Sequence, residues 1–112
     1  MAKPQNRAYS RYSIEALSLL GQLIRAARIE QKITGEEMAS RMGVSRSLIQ
    51  RIEKGDPGCA IGAVFEAGAI VGVPLFEADK ERLGAHRANT GEILRLLPKM
   101  ARRSKRAVKD DF

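Results

Sequence analysis

Thr34-Gly35-Glu36-Glu37-Met38-Ala39-Ser40-Arg41-Met42-Gly43-Val44-Ser45-Arg46-Ser47-Leu48-Ile49-Gln50-Arg51-Ile52-Glu53-Lys54-Gly55 is the stretch from which the fold can be read. Thr34 is a helix N-cap residue and Glu37 stands three positions on, a capping box in which each side chain satisfies the other's free amide. Glu36 and Glu37 fall in the first turn, where the helix dipole favours negative charge, so cap and dipole explain them better than acid–base chemistry does. Met38 and Ala39 take the inward face, and Gly43 stops the helix. Ser45 then caps a second helix that runs through Lys54 on an apolar side of Leu48, Ile49 and Ile52, and Gly55 supplies the left-handed residue that ends it.

Upstream, Ser13 is the predicted N-cap of a helix reaching Gln31 or Lys32. It has no capping box, because Ala16 holds the third position. Its apolar residues Ile14, Leu17, Leu20 or Gly21, Ile24, Ala27 and Ile29 recur near the 3.6-residue period. Downstream, Asp56-Pro57-Gly58 reads as a loop before a helix from Ala60 to Val71, closed by Gly72 and Pro74. Its small residues Ala60, Gly62, Ala63, Ala67, Gly68 and Ala69 suit close backbone approach. Asp79 caps a fifth helix running to Leu97 with a stripe of Leu83, Thr90 or Leu94, and Leu97. Gly84 and Gly91 lie inside it, each costing about 1 kcal/mol relative to Ala, and Pro98 ends it. No Asn-Gly or Asp-Gly hairpin separates alternating runs, so strands are not expected.

The chain has 112 residues and a net charge of +7, which suits one small domain. A single cysteine, Cys59, and a single histidine, His86, exclude a disulfide framework, a cysteine zinc site and a histidine cluster. The longest apolar run, Ala60 to Phe76, is broken by Glu66 and Pro74 and is too short to span a bilayer comfortably. The first ten residues lack a signal-peptide apolar region, so a soluble, cytoplasmic protein is expected. The charge excess lies at the two ends. Residues 14–74 carry seven basic and seven acidic side chains and residues 75–97 four of each, leaving +3 for residues 1–13 and +4 for residues 98–112. Basic ends suit arms that meet a polyanion through counterion release, or tails that keep a small protein soluble.

Two capped helices meeting across a tight turn have the spacing of a helix-turn-helix, which places the first half of its second helix in a DNA major groove. Arg46, Ser47, Gln50 and Arg51 point away from the apolar anchor of that helix. Arg can bond two acceptors of guanine and Gln two positions of adenine. Ser45 sits at a helix N-terminus, where amides and dipole favour an anion.

At these residues the chain resembles the XRE (phage-repressor/Cro type) helix-turn-helix family over about residues 17–75, carried by Gly43-Val44-Ser45-Arg46 and Arg51-Ile52-Glu53-Lys54-Gly55. Within it the chain is most similar to HipB-like antitoxins that partner HipA-like kinase toxins. That likeness rests on Glu53-Lys54-Gly55-Asp56-Pro57-Gly58, Ala60-Ile61-Gly62, Gly72-Val73-Pro74-Leu75-Phe76 and the terminal Asp110-Asp111-Phe112. The resemblance implies base contacts from Arg46, Ser47 and Arg51 with Gln50 close by, and phosphate contacts from Gly35, Arg41, Ser45 and Lys54. It also implies a structural ion pair, Arg28 with Glu53. Gly35 departs from the pattern: most members carry a Gln there that bonds a phosphate, and Gly35 offers only its amide. In resembling antitoxins a flexible C-terminus contacts the toxin, so Asp110, Asp111 and Phe112 are candidate docking residues. Lys99, Arg102, Arg103, Lys105, Arg106 and Lys109 alternatively follow a DNA backbone, or the tail has no fixed partner.

Plainer readings stand beside several of these. Arg41 touches phosphate or is simply solvated. Cys59 is a small packing residue, and His86 a surface or interface residue. The glycine-rich residues 60–72 lack both Gly-Lys-Ser/Thr and a preceding strand, so they are no phosphate loop.

The expectation is an all-α, repressor-like domain of four to five helices with flexible basic termini. Residues 1–12 form the arm, 13–76 the helix-turn-helix domain, 77–100 a C-terminal dimerisation helix and 101–112 the basic tail. Leu83, Ile93, Leu94 and Leu97 are the candidate dimer contacts. The expected function is a sequence-specific repressor, a homodimer on a palindromic double-stranded operator, that also holds a HipA-like kinase toxin inactive. No enzyme activity, cofactor, metal or membrane association is expected. The alternatives are a phage or mobile-element regulator without a toxin, and a protein-interaction adaptor with weak DNA affinity.

Overall fold

The computed structural model describes residues 8–99. Among them the regular elements are five helices: α1 (Arg11–Glu30), α2 (Gly35–Met42), α3 (Arg46–Glu53), α4 (Ile61–Val71) and α5 (Lys80–Leu96). The architecture is the all-α, repressor-like one that the spacing predicts. Asp110, Asp111, Phe112 and most of both basic ends lie outside the described residues.

Local signals set the helix ends. Thr34 and Glu37 form both halves of the capping box: Thr34 Oγ1 accepts from the Glu37 N–H at 3.0 Å, and Glu37 Oε1 accepts from the Thr34 N–H at 2.9 Å. Gly43 ends α2 in the left-handed region at φ 69°, and the Val44 N–H reaches back to the Ala39 carbonyl at 3.0 Å in a Schellman arrangement. Ser45 caps α3 by accepting from the Leu48 N–H at 3.1 Å. Asp79 caps α5 in the same way through the Arg82 N–H at 2.8 Å.

Several helix ends correct the sequence expectation: α1 stops at Glu30, α3 stops at Glu53 and α4 begins at Ile61, each a residue or two inside the expected bound. Helix α1 is capped by Ser10, not Ser13: Ser10 has extended backbone and its Oγ accepts from the Ser13 N–H at 3.1 Å. Arg11 and Tyr12 therefore belong to the helix and not to the N-terminal arm, and Arg11 pairs with Glu15 one turn on. Helix α5 stops at Leu96, one residue short of expectation, because Leu97 precedes Pro98 and takes the extended conformation, ψ 153°, that such residues favour.

The chain divides into two compact units after Glu77. In the first, α1 packs on α3 and α4, and α2 packs on α3 and α4. Ile24, Met38 and Ile49 are fully buried at its centre, with Ile33, Ala39, Ile52, Val64, Ala67 and Val71 around them. This aliphatic core holds the two helices of the motif against the long α1. Gly21 decides how closely: a Cβ there would lie 2.6 Å from the Ile52 carbonyl oxygen and 2.7 Å from that of Glu53. Gly55, at φ 78°, brings the chain equally close to Ser18. The end of α3 therefore lies directly on the α1 backbone.

The small residues of α4 do less than their composition suggests. A Cβ on Gly68 would make only ordinary contact with Leu75, Val73 and Ile24, and one on Gly62 would meet open space. In the second unit α5 runs unbroken through Gly84 and Gly91, and none of its residues is buried.

Candidate nucleic-acid interface

Helix α3 has one buried side and one exposed side. Ile49 and Ile52 are buried and Leu48 is half-buried, while Arg46, Ser47, Gln50, Arg51 and Lys54 are all exposed. At about 3.6 residues per turn, Arg46, Gln50 and Lys54 form one row along the outer side, with Ser47 and Arg51 on the next. Acidic residues are missing from both rows. The helix's one carboxylate, Glu53, is turned inward and neutralised.

That neutralisation is complete. Arg28 of α1 donates from Nε to Glu53 Oε2 at 2.6 Å and from Nη2 to Oε1 at 3.0 Å, with the two side chains 14% and 7% exposed. Its Nη1 donates to the Ile33 carbonyl at 2.9 Å, so one guanidinium fastens α3 and the start of α2 to α1. The bond to Glu53 raises the Arg28 pKa further, against the opposing effect of burial.

Next to this pair lies a groove of about 430 Å³ lined by Arg25, Arg28, Gln50, Glu53 and Lys54. Arg25 is mostly exposed and only grazes Glu53, at 4.0 Å. With Glu53 taken up by Arg28, the charges of Arg25 and Lys54 leave the groove cationic. Sequence reading passed over Arg25, although its place one turn before Arg28 on the same helix was a usable signal.

On the opposite flank Arg51 does not stand free. Its Nε donates to Asp56 Oδ2 at 2.8 Å, and the pair is 47% and 36% exposed. The bond to Asp56 holds the guanidinium firmly cationic. Asp56 Oδ1 accepts from the Gly58 N–H at 2.7 Å, closing the Asp56-Pro57-Gly58 turn. In the sequence Asp56 reads as part of a loop and of the run shared with HipB-like antitoxins, and its bond to Arg51 depends on how that loop folds back.

The phosphate candidates take three kinds of position. Gly35 opens α2, where its N–H has no helical carbonyl to bond. Ser45 spends its acceptor on the Leu48 amide but keeps its O–H as a donor. Arg41 is exposed in the last turn of α2, and Lys54 caps α3 beside the groove. Cys59 packs partly buried against the core, and burial pushes its thiol pKa up, which fits a packing residue.

In the second unit, Leu83 is half-buried, while Ile93, Leu94 and Leu97 are about half exposed or more. Among the described residues no cluster of His, Cys, Asp and Glu could hold a metal ion, and no helix is long and apolar enough to cross a membrane.

Residues 19–83, more than half of the chain, match the family described as helix-turn-helix domain. No curated protein and no solved structure matches.

Proposed function

The chain belongs to the helix-turn-helix domain family, of the XRE-like type, and on that premise we propose that it is a sequence-specific repressor of its own operon. The observation that carries this reading is the outer side of α3. Arg46, Ser47 and Gln50 stand exposed there, the neighbouring groove is cationic, and the only carboxylate of the helix is bonded away by Arg28. Arg46 and Gln50 read base edges, while the Gly35 amide, the Ser45 hydroxyl, Arg41, Lys54 and Arg25 meet phosphates and set the register.

A single motif of this size grips one half-site, so a palindromic operator with half-sites about 34–36 Å apart requires a homodimer. The apolar residues Leu83, Ile93, Leu94 and Leu97 of the second unit are the contacts we assign to it. The finer reading is an antitoxin of the HipB-like kind that holds a HipA-like kinase toxin inactive, supported by the Glu53-Lys54-Gly55-Asp56-Pro57-Gly58 run and the terminal Asp-Asp-Phe. Co-purification with a kinase encoded beside the gene tests it. If no such kinase is encoded there, the reading reverts to a mobile-element regulator.

The first experiment is fluorescence anisotropy on the duplex immediately upstream of the gene and on a scrambled duplex, over a salt series. A preference for the upstream duplex that persists at physiological salt is the expected result. Equal, salt-sensitive binding to both would remove the repressor reading and favour a protein-interaction adaptor.

A further inference from the structure

We propose that Asp56 is a positioning residue that aims Arg51 at a guanine in the major groove. This rests on the repressor reading above.

Asp56 is tied to Arg51 twice. The Asp56 N–H donates to the Arg51 carbonyl at 3.0 Å, and the Arg51 Nε donates to Asp56 Oδ2 at 2.8 Å. The acceptor itself is held still. Gly58 donates its amide to Oδ1 at 2.7 Å, and Cys59 donates its amide to the Asp56 carbonyl at 3.3 Å. A Cβ on Gly58 would lie 3.2 Å from Asp56 Oδ1 and 3.4 Å from Arg51 Nη2, so the turn packs directly against the pair.

A stability role does not account for this arrangement. An ion pair about a third to a half exposed contributes little to folding. A carboxylate beside the reading helix also opposes a polyanion, so it weakens binding to every sequence alike. What it supplies is direction. With Nε bonded, the guanidinium plane is set, and the outer Nη1 and Nη2 edge is the donor pair that matches guanine O6 and N7. A free Arg at this place would instead follow the nearest phosphate.

The two contributions have opposite signs, and that separates them experimentally. Binding is measured by anisotropy on the upstream duplex, on the same duplex with each guanine replaced in turn by 7-deazaguanine, and on scrambled duplex. 7-Deazaguanine lacks the N7 acceptor and keeps its base pairing. For the wild type, the guanine read by Arg51, identified as the one whose penalty Arg51→Lys abolishes, should cost about tenfold when replaced. Asp56→Asn should bind scrambled duplex more tightly, and its penalty at that guanine should fall to within about threefold. Arg51→Lys, which keeps the charge and loses the fork, should lose the penalty without gaining affinity for scrambled duplex.

An Asp56→Asn variant that keeps the full penalty overturns the proposal. So does one that loses affinity equally on all duplexes together with a lowered melting temperature, because Asp56 would then only hold the loop. If Asp56→Asn does not fold, Asp56→Ser, whose hydroxyl still accepts from the Gly58 amide, carries the same expectations. A wild type that does not prefer the upstream duplex overturns the repressor reading itself, and this proposal with it.

Discussion

Arg28 and Glu53, 25 positions apart in sequence, meet through two hydrogen bonds of 2.6 and 3.0 Å at a nearly buried site between α1 and α3. The pair keeps the carboxylate of α3 away from the exposed row of Arg46 and Gln50, and it fixes that helix on α1. Arg28→Ala leaves Glu53 nearly buried with only Arg25, 4.0 Å away, as an ionic partner, and should cost about 3 kcal/mol in urea unfolding. A double Arg28→Met/Glu53→Met variant should recover most of that loss. Equal losses in the two variants would show that packing, not the stranded charge, sets the cost.

Glycines at two kinds of place should answer Ala substitution with opposite signs. At Gly21 the new Cβ would sit 2.6 Å from a backbone carbonyl oxygen that cannot yield without moving α3, so Gly21→Ala should destabilise by about 2–3 kcal/mol. At Gly84 and Gly91 nothing lies within 4 Å, so each change to Ala should stabilise α5 by about 1 kcal/mol. Thermal melts of the three variants, with helix content from circular dichroism, test both signs.

Gly35 has room for a larger residue: a Cβ there would have no atom within 4 Å. The resembling family carries a phosphate-bonding Gln at this place, so Gly35→Gln should tighten binding by about 1 kcal/mol on upstream and scrambled duplexes alike. The salt slope should stay unchanged, because Gln adds no charge. Unaltered affinity would show that the start of α2 does not meet the backbone.

Helix α2 carries a pH dependence of known sign. The Thr34 N–H, donated to the Glu37 carboxylate, holds that carboxyl below the ordinary glutamate range. The folded pKa is the lower one, so the stabilisation is fully present above the ordinary range and is lost as pH falls through the depressed folded value. Melting temperatures recorded from neutral pH down to about pH 3 should decline less steeply for Glu37→Gln than for the wild type. Parallel curves would mean the carboxylate makes no such contribution.

Leu94 tests the assembly. It is 62% exposed on α5, and a carboxylate there should convert the proposed dimer to monomer in sedimentation equilibrium. Leu94→Asp should weaken operator binding far more than binding to a single half-site. A wild type that is already monomeric at tens of micromolar removes the dimer.

The sequence by itself determined the features whose signals lie within four or five residues of each other. The capping box of Thr34 and Glu37, the Ser45 and Asp79 caps, and the left-handed Gly43 and Gly55 are local hydrogen-bonding and backbone requirements, and they set the helix-turn-helix before any packing is considered. The exposed row of Arg46 and Gln50 follows from the same helical period. Only the tertiary structure decided the rest, because those features depend on which distant surfaces meet. Gly21 reads as one more position on an apolar stripe until α3 lies against it. Arg25 becomes part of a cationic groove only when α1 crosses the end of α3.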